Sequence, residues 1–162
     1  MSETTAGQLR DSFDGTFARP REGARGELID LLGIVLGGDP HGIRLSSIAG
    51  VHADRAVTPL PSSTRALLGV AGFRGTLVPV FDLGTLVGYP PATEPRWLCR
   101  IERGGDAACF AFEALLGHFR AESSAFAERA AGHDREVVQI DSRIWPVIDV
   151  DAVWQLVSKQ KE

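Results

Sequence analysis

The length, composition and charge of the chain are typical of a globular protein. It has 162 residues, 44% hydrophobic and 23% charged, enough apolar content to bury a core in one domain or two very small ones. Its 17 Lys and Arg against 21 Asp and Glu give a formal charge of −4, which argues against binding to nucleic-acid phosphates. The longest apolar stretches, 31–38 and 66–73, are far shorter than the roughly 18 residues that span a bilayer. Fibrous and wholly disordered proteins are excluded, and neither a nucleic-acid partner nor membrane insertion is expected.

The first 26 residues differ in character from the rest of the chain. After Met1, their only large apolar side chains are Leu9, Phe13 and Phe17. We therefore predict a flexible leader over 1–26 and a folded domain over 27–158. The leader has no apolar segment of the length that a secretory signal needs, so the protein is expected in the cytoplasm. Cys99 and Cys109 are then expected to be reduced.

Short apolar runs, broken by Gly, Pro and Asp, begin at Leu28 and predict an all-β protein. The predicted strands are, in chain order, 31–36, 42–45, 67–73, 76–81, 97–103, 107–112, 136–141 and 143–148. Gly-Gly-Asp at 37–39 and 104–106, and Gly75 after Arg74, allow tight reversals between paired strands.

A short helix is predicted after the last strand of each half. Asp82 and Asp149 each precede apolar residues at helical spacing, so both are predicted to cap a helix N-terminus. Pro79 and Pro146 interrupt predicted strands, which places these strands at a sheet edge or at a bulge.

The chain contains an internal repeat that aligns without gaps at a shift of 67 residues. The coinciding segments include Gly-Gly-Asp at 37–39 and 104–106, and Pro-Val at 79–80 and 146–147. We infer two copies of one unit, approximately 30–88 and 97–155, joined at a proline-rich junction over 89–95. A unit of about 60 residues is only marginally stable alone. Two small barrels that share an interface are therefore expected.

No motif for catalysis or for cofactor binding is present. The chain lacks a nucleophile elbow, a zinc-protease His-Glu-x-x-His motif and a phosphate-binding loop. Asp149 and Asp151, with Asp141 nearby, could offer oxygen ligands to a cation, but capping is favoured because Asp149 repeats Asp82, which no second acid follows. The histidines, at 41, 52, 118 and 133, have no metal-ligand spacing. We predict that the protein is not an enzyme and has no catalytic residues, metal or cofactor.

In contrast to these absent motifs, Arg74 is a candidate binding residue. It lies at the tip of a predicted turn between two apolar strands, and its counterpart in the second copy is Asp141. An arginine in a turn is usually just solvated. A planar side chain with five donors, flanked by apolar surface, can also anchor a partner's carboxylate or backbone carbonyls. The residues alone leave both interpretations open.

Leu60-Pro61 and the run from 68 to 83, Leu-Gly-Val-Ala-Gly-Phe-Arg-Gly-Thr-Leu-Val-Pro-Val-Phe-Asp-Leu, resemble the signature of CheW-like domains. The resemblance covers about 27–158. It implies two packed five-stranded SH3-like barrels in a non-catalytic adaptor protein. Such adaptors couple chemoreceptors to the histidine kinase CheA in chemotaxis, a two-component signalling system, so the protein is expected in the cytoplasm at membrane-associated receptor arrays.

The resemblance also implies two partners and a set of contact residues. In the family, the tip of the chemoreceptor's helical hairpin docks in an apolar groove between the barrels, and a regulatory domain of the kinase joins edge to edge. By position, Arg74 matches the family's receptor-contact arginine, and Ile48, Val51 and Cys99 are candidate groove residues. The matching motif residues with structural roles are Gly69, Gly75, Pro79, Asp82 and Asp149.

Three positions depart from the family pattern. Gly72 stands where the family usually has Asn, Gly50 where it often has Glu, and Cys109 where the second barrel usually has Gly. The missing amide and carboxylate leave two alternatives open: a receptor-binding modulator that does not couple to kinase, and an adaptor in a chemosensory pathway other than flagellar swimming. A small-barrel enzyme or nucleic-acid-binding barrel is disfavoured, since only 7% of residues are aromatic and no basic run occurs.

Overall fold

The computed structural model describes residues 27–91, 94–128 and 136–160, so the leader at 1–26 lies outside the described residues. The strands in this part of the chain are β1 (Leu28–Leu36), β2 (Asp39–Arg44), β3 (Gly50–Ala53), β4 (Leu67–Phe73), β5 (Thr76–Asp82), β6 (Trp97–Arg103), β7 (Asp106–Phe112), β8 (Ala114–Glu122), β9 (Phe126–Glu128), β10 (Glu136–Ile140) and β11 (Arg143–Val147). Helix α1 (Leu83–Leu86) follows β5, and helix α2 (Val150–Gln160) follows β11.

The strands form two sheets. The first has the order β8-β1-β2-β11-β10-β9, and the second has the order β3-β6-β7-β5-β4. Neighbouring strands run antiparallel except for β2 with β11 and β5 with β7, which are parallel. The prediction of an all-β fold with a short helix after the last strand of each half is confirmed, and two sheets stand where two five-stranded barrels were expected. The first sheet has six strands, one more than expected.

Each sheet combines strands from both copies of the repeat. The first takes the hairpin β1–β2 from the first copy and β8 to β11 from the second, whereas the second takes β3 to β5 from the first copy and the hairpin β6–β7 from the second. One barrel was expected from each copy; instead, the copies exchange their first hairpins. The exchange follows the repeat, because the pairs Gly42–Val147 and Cys109–Val80 are interconverted by the shift of 67 residues.

Three strands were not predicted: β3, β8 and β9. Each lies at the edge of a sheet. None of the side chains in β3 or β9 is fully buried, and in β8 only Ala121 is. Strands with so few buried side chains lack the longer apolar runs on which the prediction depended.

Buried side chains form three clusters. The central cluster joins the two sheets and α2, with members that include Ile34, Ile43, Ile101, Phe110, Phe112, Val153 and Val157. Each sheet also packs a smaller cluster, one containing Ala71, Phe73, Val78, Val80 and Leu98, the other Val138, Ile140, Trp145, Val147 and Leu31. These ten residues are equivalent in pairs under the shift of 67. Because side chains alternate along a strand, the second sheet buries Leu98 on one face and Cys99 on the other.

The prolines do not mark edge strands, so that part of the prediction is wrong. Pro79 lies in β5, between β7 and β4, and Pro146 lies in β11, between β2 and β10. Parallel pairing begins one residue later in each case, at Val80 and at Val147. A proline just before the paired segment removes no donor that the ladder needs. A register shift does occur opposite β5, in β4 between Leu67 and Gly69.

Asp82 and Asp149 accept hydrogen bonds at the starts of the two helices. Asp82 Oδ2 accepts from the backbone amide of Thr85 at 3.0 Å and from its hydroxyl at 2.5 Å. Asp149 Oδ1 accepts from the backbone amide of Ala152 at 3.1 Å. Asp82 is only 2% exposed, whereas Asp149 is exposed. Both side chains therefore satisfy donors that a helix N-terminus otherwise leaves free.

We predict that Asp82→Ala lowers the free energy of unfolding by about 1 kcal/mol, because α1 loses its cap. Urea denaturation of the variant and the wild type measures the difference. Asp82→Asn keeps a side-chain acceptor and serves as the matched control. An alanine variant as stable as the wild type would contradict the capping role.

Gly69 is required by a close approach of two backbone segments. Its φ is 151°, and a Cβ atom placed there would lie 2.0 Å from the carbonyl oxygen of Thr58. That carbonyl accepts from the amide of Val70 at 2.9 Å, so it cannot move away without breaking a bridge. Gly72, on the same strand, would place a Cβ in open space.

We predict that Gly69→Ala lowers the free energy of unfolding by at least about 2 kcal/mol, through backbone overlap and a disfavoured φ. Gly72→Ala is the control and is expected to leave stability unchanged within about 1 kcal/mol. Thermal and urea denaturation compare the two. Equal stability of the two variants would show that the backbone at Thr58 moves to accommodate the new Cβ without lowering the free energy of unfolding.

Candidate functional site

Arg74 occupies a strained position at the tip of the β4–β5 hairpin. Its φ is 51° and that of Gly75 is 83°. Two positive φ values in a two-residue turn are typical of type I′, which favours Gly, Asn and Asp. The other two-residue turns have Gly37-Gly38, Gly104-Gly105 and Asp141-Ser142, all with positive φ. Left-handed backbone costs a residue such as Arg about 1 kcal/mol or more, so an arginine here points to a use for its side chain.

Arg74 is one of the residues that line a cleft of about 570 Å³. One wall comes from the β4–β5 hairpin and includes Phe73 and Val78, and the other comes from β6, β7 and their turn, including Arg100 and Glu102. Arg74 is exposed and makes no hydrogen bond or ion pair within the described part of the chain. Its guanidinium donors are therefore available to a partner.

Three cationic or aromatic side chains surround Phe73, and we call them with it the Phe73 platform: His52, Arg55, Phe73 and Arg100. The guanidinium carbons of Arg55 and Arg100 lie 4.5 Å and 5.7 Å from the centroid of the Phe73 ring. The His52 ring meets it edge-on, at 4.9 Å between centroids. Phe73 is 8% exposed, so these groups form the outer surface of the sheet at this end.

The pKa of His52 is lowered from its usual value, mainly by burial and further by the positive charges of Arg55 and Arg100. The neutral ring is thus favoured, and its Nδ1 lies 3.4 Å from Arg55 Nη2. Arg55 Nη1 also donates to the carbonyl of Gly72 at 3.2 Å. Arg100 is paired with Glu102. Hydrogen bonds and stacking therefore hold Arg55 in place without a carboxylate.

Ile48, Val51 and Cys99 do not line the cleft of Arg74. Val51 on β3 pairs with Cys99 on β6, and both contribute to the central cluster, as does the half-buried Ile48. Cys99 is 1% exposed, and burial raises the pKa of its thiol to about 12. The prediction that Cys99 contributes surface to a groove is therefore corrected, because its neutral thiol packs inside the core.

Two of the three acidic residues considered as cation ligands have other partners. Asp149 caps α2, and Asp151 Oδ1 accepts from Arg103 Nε at 3.0 Å. Within the described residues, no group of three or more His, Cys, Asp or Glu is arranged to hold a metal ion. Among the same residues, no helix is long and apolar enough to cross a membrane.

The chain is similar to a known family and to a solved structure. The family model described as "CheW-like domain" matches residues 30–158, most of the chain. The chain belongs to the CheW-like family. The scaffolding protein TtCheW from Thermoanaerobacter tengcongensis has a similar crystal structure, with a TM-score of 0.69 and 15% sequence identity over 76% of this chain and 90% of that chain. No curated protein sequence matches significantly. A CheW-like fold supports an adaptor role in chemotaxis.

The two glycines that depart from the CheW-like pattern lie beside the platform. Gly50 on β3 is paired with Arg100, and a Cβ at Gly50 would lie 3.3 Å from His52 Nε2, the movable end of a side chain. Gly72 is exposed and next to Phe73, with open space around its Cβ position. Larger side chains thus fit at both positions, so packing does not require a glycine at either one.

Sequence reasoning identified Arg74 but missed His52, Arg55 and Arg100. His52 and Arg100 share a face of the second sheet only because β3 pairs with β6. Since neither β3 nor the pairing of β7 with β5 was predicted, nothing in the pattern placed these residues beside Phe73. A local signal is the alternation of apolar Val51 with polar His52, which is typical of a strand with one buried face.

We predict that Arg74→Asn raises the free energy of unfolding by up to about 1 kcal/mol, because Asn adopts positive φ more readily than Arg. Arg74→Ala is the matched control, since it removes the guanidinium but keeps the strained backbone. Urea denaturation compares both variants with the wild type. An Asn variant no more stable than the Ala variant would show that the turn carries no strain.

Proposed function

We propose that this CheW-like protein is a non-catalytic adaptor that couples chemoreceptors to a CheA-type histidine kinase at membrane-associated receptor arrays. The observation that carries the proposal is Arg74. It is the arginine of the family motif, it is held at the exposed tip of a hairpin, and its guanidinium has no partner within the described residues. A position that costs backbone energy, and gives no internal contact in return, is best explained by binding.

The adaptor needs no cofactor, because its task is linkage between two binding events. A receptor change reaches the kinase only if the receptor's two states differ in their contact energy with the adaptor. Two sheets that share the central cluster suit this role, since a packed core transmits strain between its elements. Arg74 is proposed for the receptor contact at the hairpin tip. The half-buried Ile48 and Val51, which pack on the central cluster and not in the cleft of Arg74, are proposed as a separate apolar part of that contact.

We predict that Arg74→Ala lowers affinity for a chemoreceptor's cytoplasmic hairpin by about 2 kcal/mol, because a planar guanidinium at the centre of an interface is a typical hot spot. Calorimetric titration with a receptor hairpin fragment measures it. Arg120→Ala, which removes an exposed arginine from β8 in the other sheet, is the control. Unchanged affinity in a folded Arg74→Ala protein would refute the assignment.

The whole proposal is tested by co-purification of the tagged protein from extract of its own cells, with and without Arg74→Ala. Mass spectrometry is expected to find a CheA-type kinase and a chemoreceptor with the wild type, and to lose the receptor with the variant. Recovery of neither partner would refute the adaptor function.

The second candidate is a modulator that binds receptors without coupling to kinase. Gly50 and Gly72 favour it, because the carboxylate and the amide that the family offers to partners are missing there. Binding of the purified protein to the kinase alone distinguishes the two. A receptor complex that never recruits kinase supports the modulator, whereas kinase binding supports the adaptor, whether its pathway serves flagellar swimming or another output.

A further inference from the structure

The Phe73 platform carries more positive charge than its own contacts neutralise. Arg55 contacts the Phe73 ring, the Gly72 carbonyl and the His52 ring, none of which is an anion. Among the described residues, Glu102 is the carboxylate that pairs with the cluster, and it pairs with Arg100. Arg74 lies in the lining of a cleft that also includes Arg100, Arg103 and Asp106, whereas Arg55 lies outside that lining and over the Phe73 ring. Arg100 pairs with Glu102 and Arg103 with Asp151, which leaves Arg55 and Arg74 without a carboxylate partner among the described residues.

This positive charge affects the neighbouring histidine. The pKa of His52 is lowered by burial and by the charges of Arg55 and Arg100, so the neutral ring is the favoured form. Clustered like charges are unfavourable at short range unless an opposite charge approaches. An acidic partner would relieve this repulsion, whereas a basic partner would increase it.

The surface over Arg100 is also open to a partner. Its neighbour across the β3–β6 ladder is Gly50, which has no side chain to cover it. The guanidinium of Arg55 is already ordered by stacking on Phe73 and by its bond to Gly72. A group that is ordered in advance loses less conformational entropy on binding. The platform is thus prepared to accept planar carboxylates.

We propose that the Phe73 platform binds a carboxylate-bearing segment of the same chemoreceptor that Arg74 contacts. Recognition then extends from the hairpin tip across Arg55 and Arg100, and the receptor segment supplies the negative charge that Gly50 does not. This inference rests on the proposed receptor-binding function, and it adds the residues and the chemical class of the contact.

The first test measures the affinity of the full chain for a receptor hairpin fragment by calorimetry at low and at high salt. Arg55→Gln is expected to weaken binding about fivefold at low salt, and the loss is expected to shrink at high salt. Arg55→Lys keeps the charge and is expected to retain most of the affinity. Arg120→Gln, on the other sheet, is the matched control for net charge. Thermal denaturation establishes that each variant is folded.

The second test adds a carboxylate to the protein beside the platform. Gly50→Glu, opposite Arg100, is expected to weaken receptor binding because it neutralises the platform and repels the partner's carboxylates. Gly50→Gln has the same shape without the charge and is expected to bind several-fold more tightly than Gly50→Glu. The pair separates charge from steric effects, because both side chains meet the same His52 ring.

The outcomes distinguish this inference from the function on which it rests. If the wild type does not bind the receptor fragment, the proposed function fails. If it binds, but Arg55→Gln and Gly50→Glu match their controls, the adaptor function stands and the platform has no role in binding. If these variants lose kinase binding and keep receptor binding, the receptor is the wrong occupant and the inference is overturned.

Discussion

The parallel pairing of β2 with β11 and of β5 with β7 is the constraint on which the rest of the structure depends. It inserts the first hairpin of each copy into the sheet of the other, so neither half of the chain completes a sheet alone. The cleft at Arg74 is a direct result, because one wall belongs to the first copy and the wall with Arg100 belongs to the second. The candidate site thus requires both copies to be folded.

The two smaller clusters fill equivalent space with side chains of different sizes. Cys109 and Gly42 are equivalent under the repeat, and each lies at a parallel pairing. Near Gly42 the cluster contains Val138 and Trp145. The equivalent residues near Cys109 are the smaller Ala71 and Val78. A thiol therefore fills space that larger neighbours fill in the other copy, as close packing requires. Burial raises the pKa of Cys109 to about 11, so it packs as a neutral group.

The parts of the fold that sequence predicts are those with local signals. Paired turn residues and helix caps such as Asp82 are read from a few neighbouring residues, and the strands beside them follow. The exchange of hairpins was not predicted, because partner choice between equivalent strands depends on contacts far apart in sequence. Arg74 stood out as an arginine in a turn. Arg55 and Arg100 did not, because Arg55 follows the unpredicted edge strand β3 and Arg100 approaches Phe73 only through the pairing of β7 with β5.

A duplicated fold has two equivalent ends, and here their chemistry differs. Where one cleft has Arg74 and Val78, the equivalent cleft on the first sheet has Asp141 and Trp145. The second cleft, of about 470 Å³, is lined largely by apolar and aromatic side chains. A partner selected by Arg74 and Arg100 at one end meets a different arrangement at the other, where Asp141 takes the place of Arg74 and Arg143 supplies the guanidinium of the lining. Divergence between the copies can therefore give an adaptor two distinct surfaces on one symmetric framework.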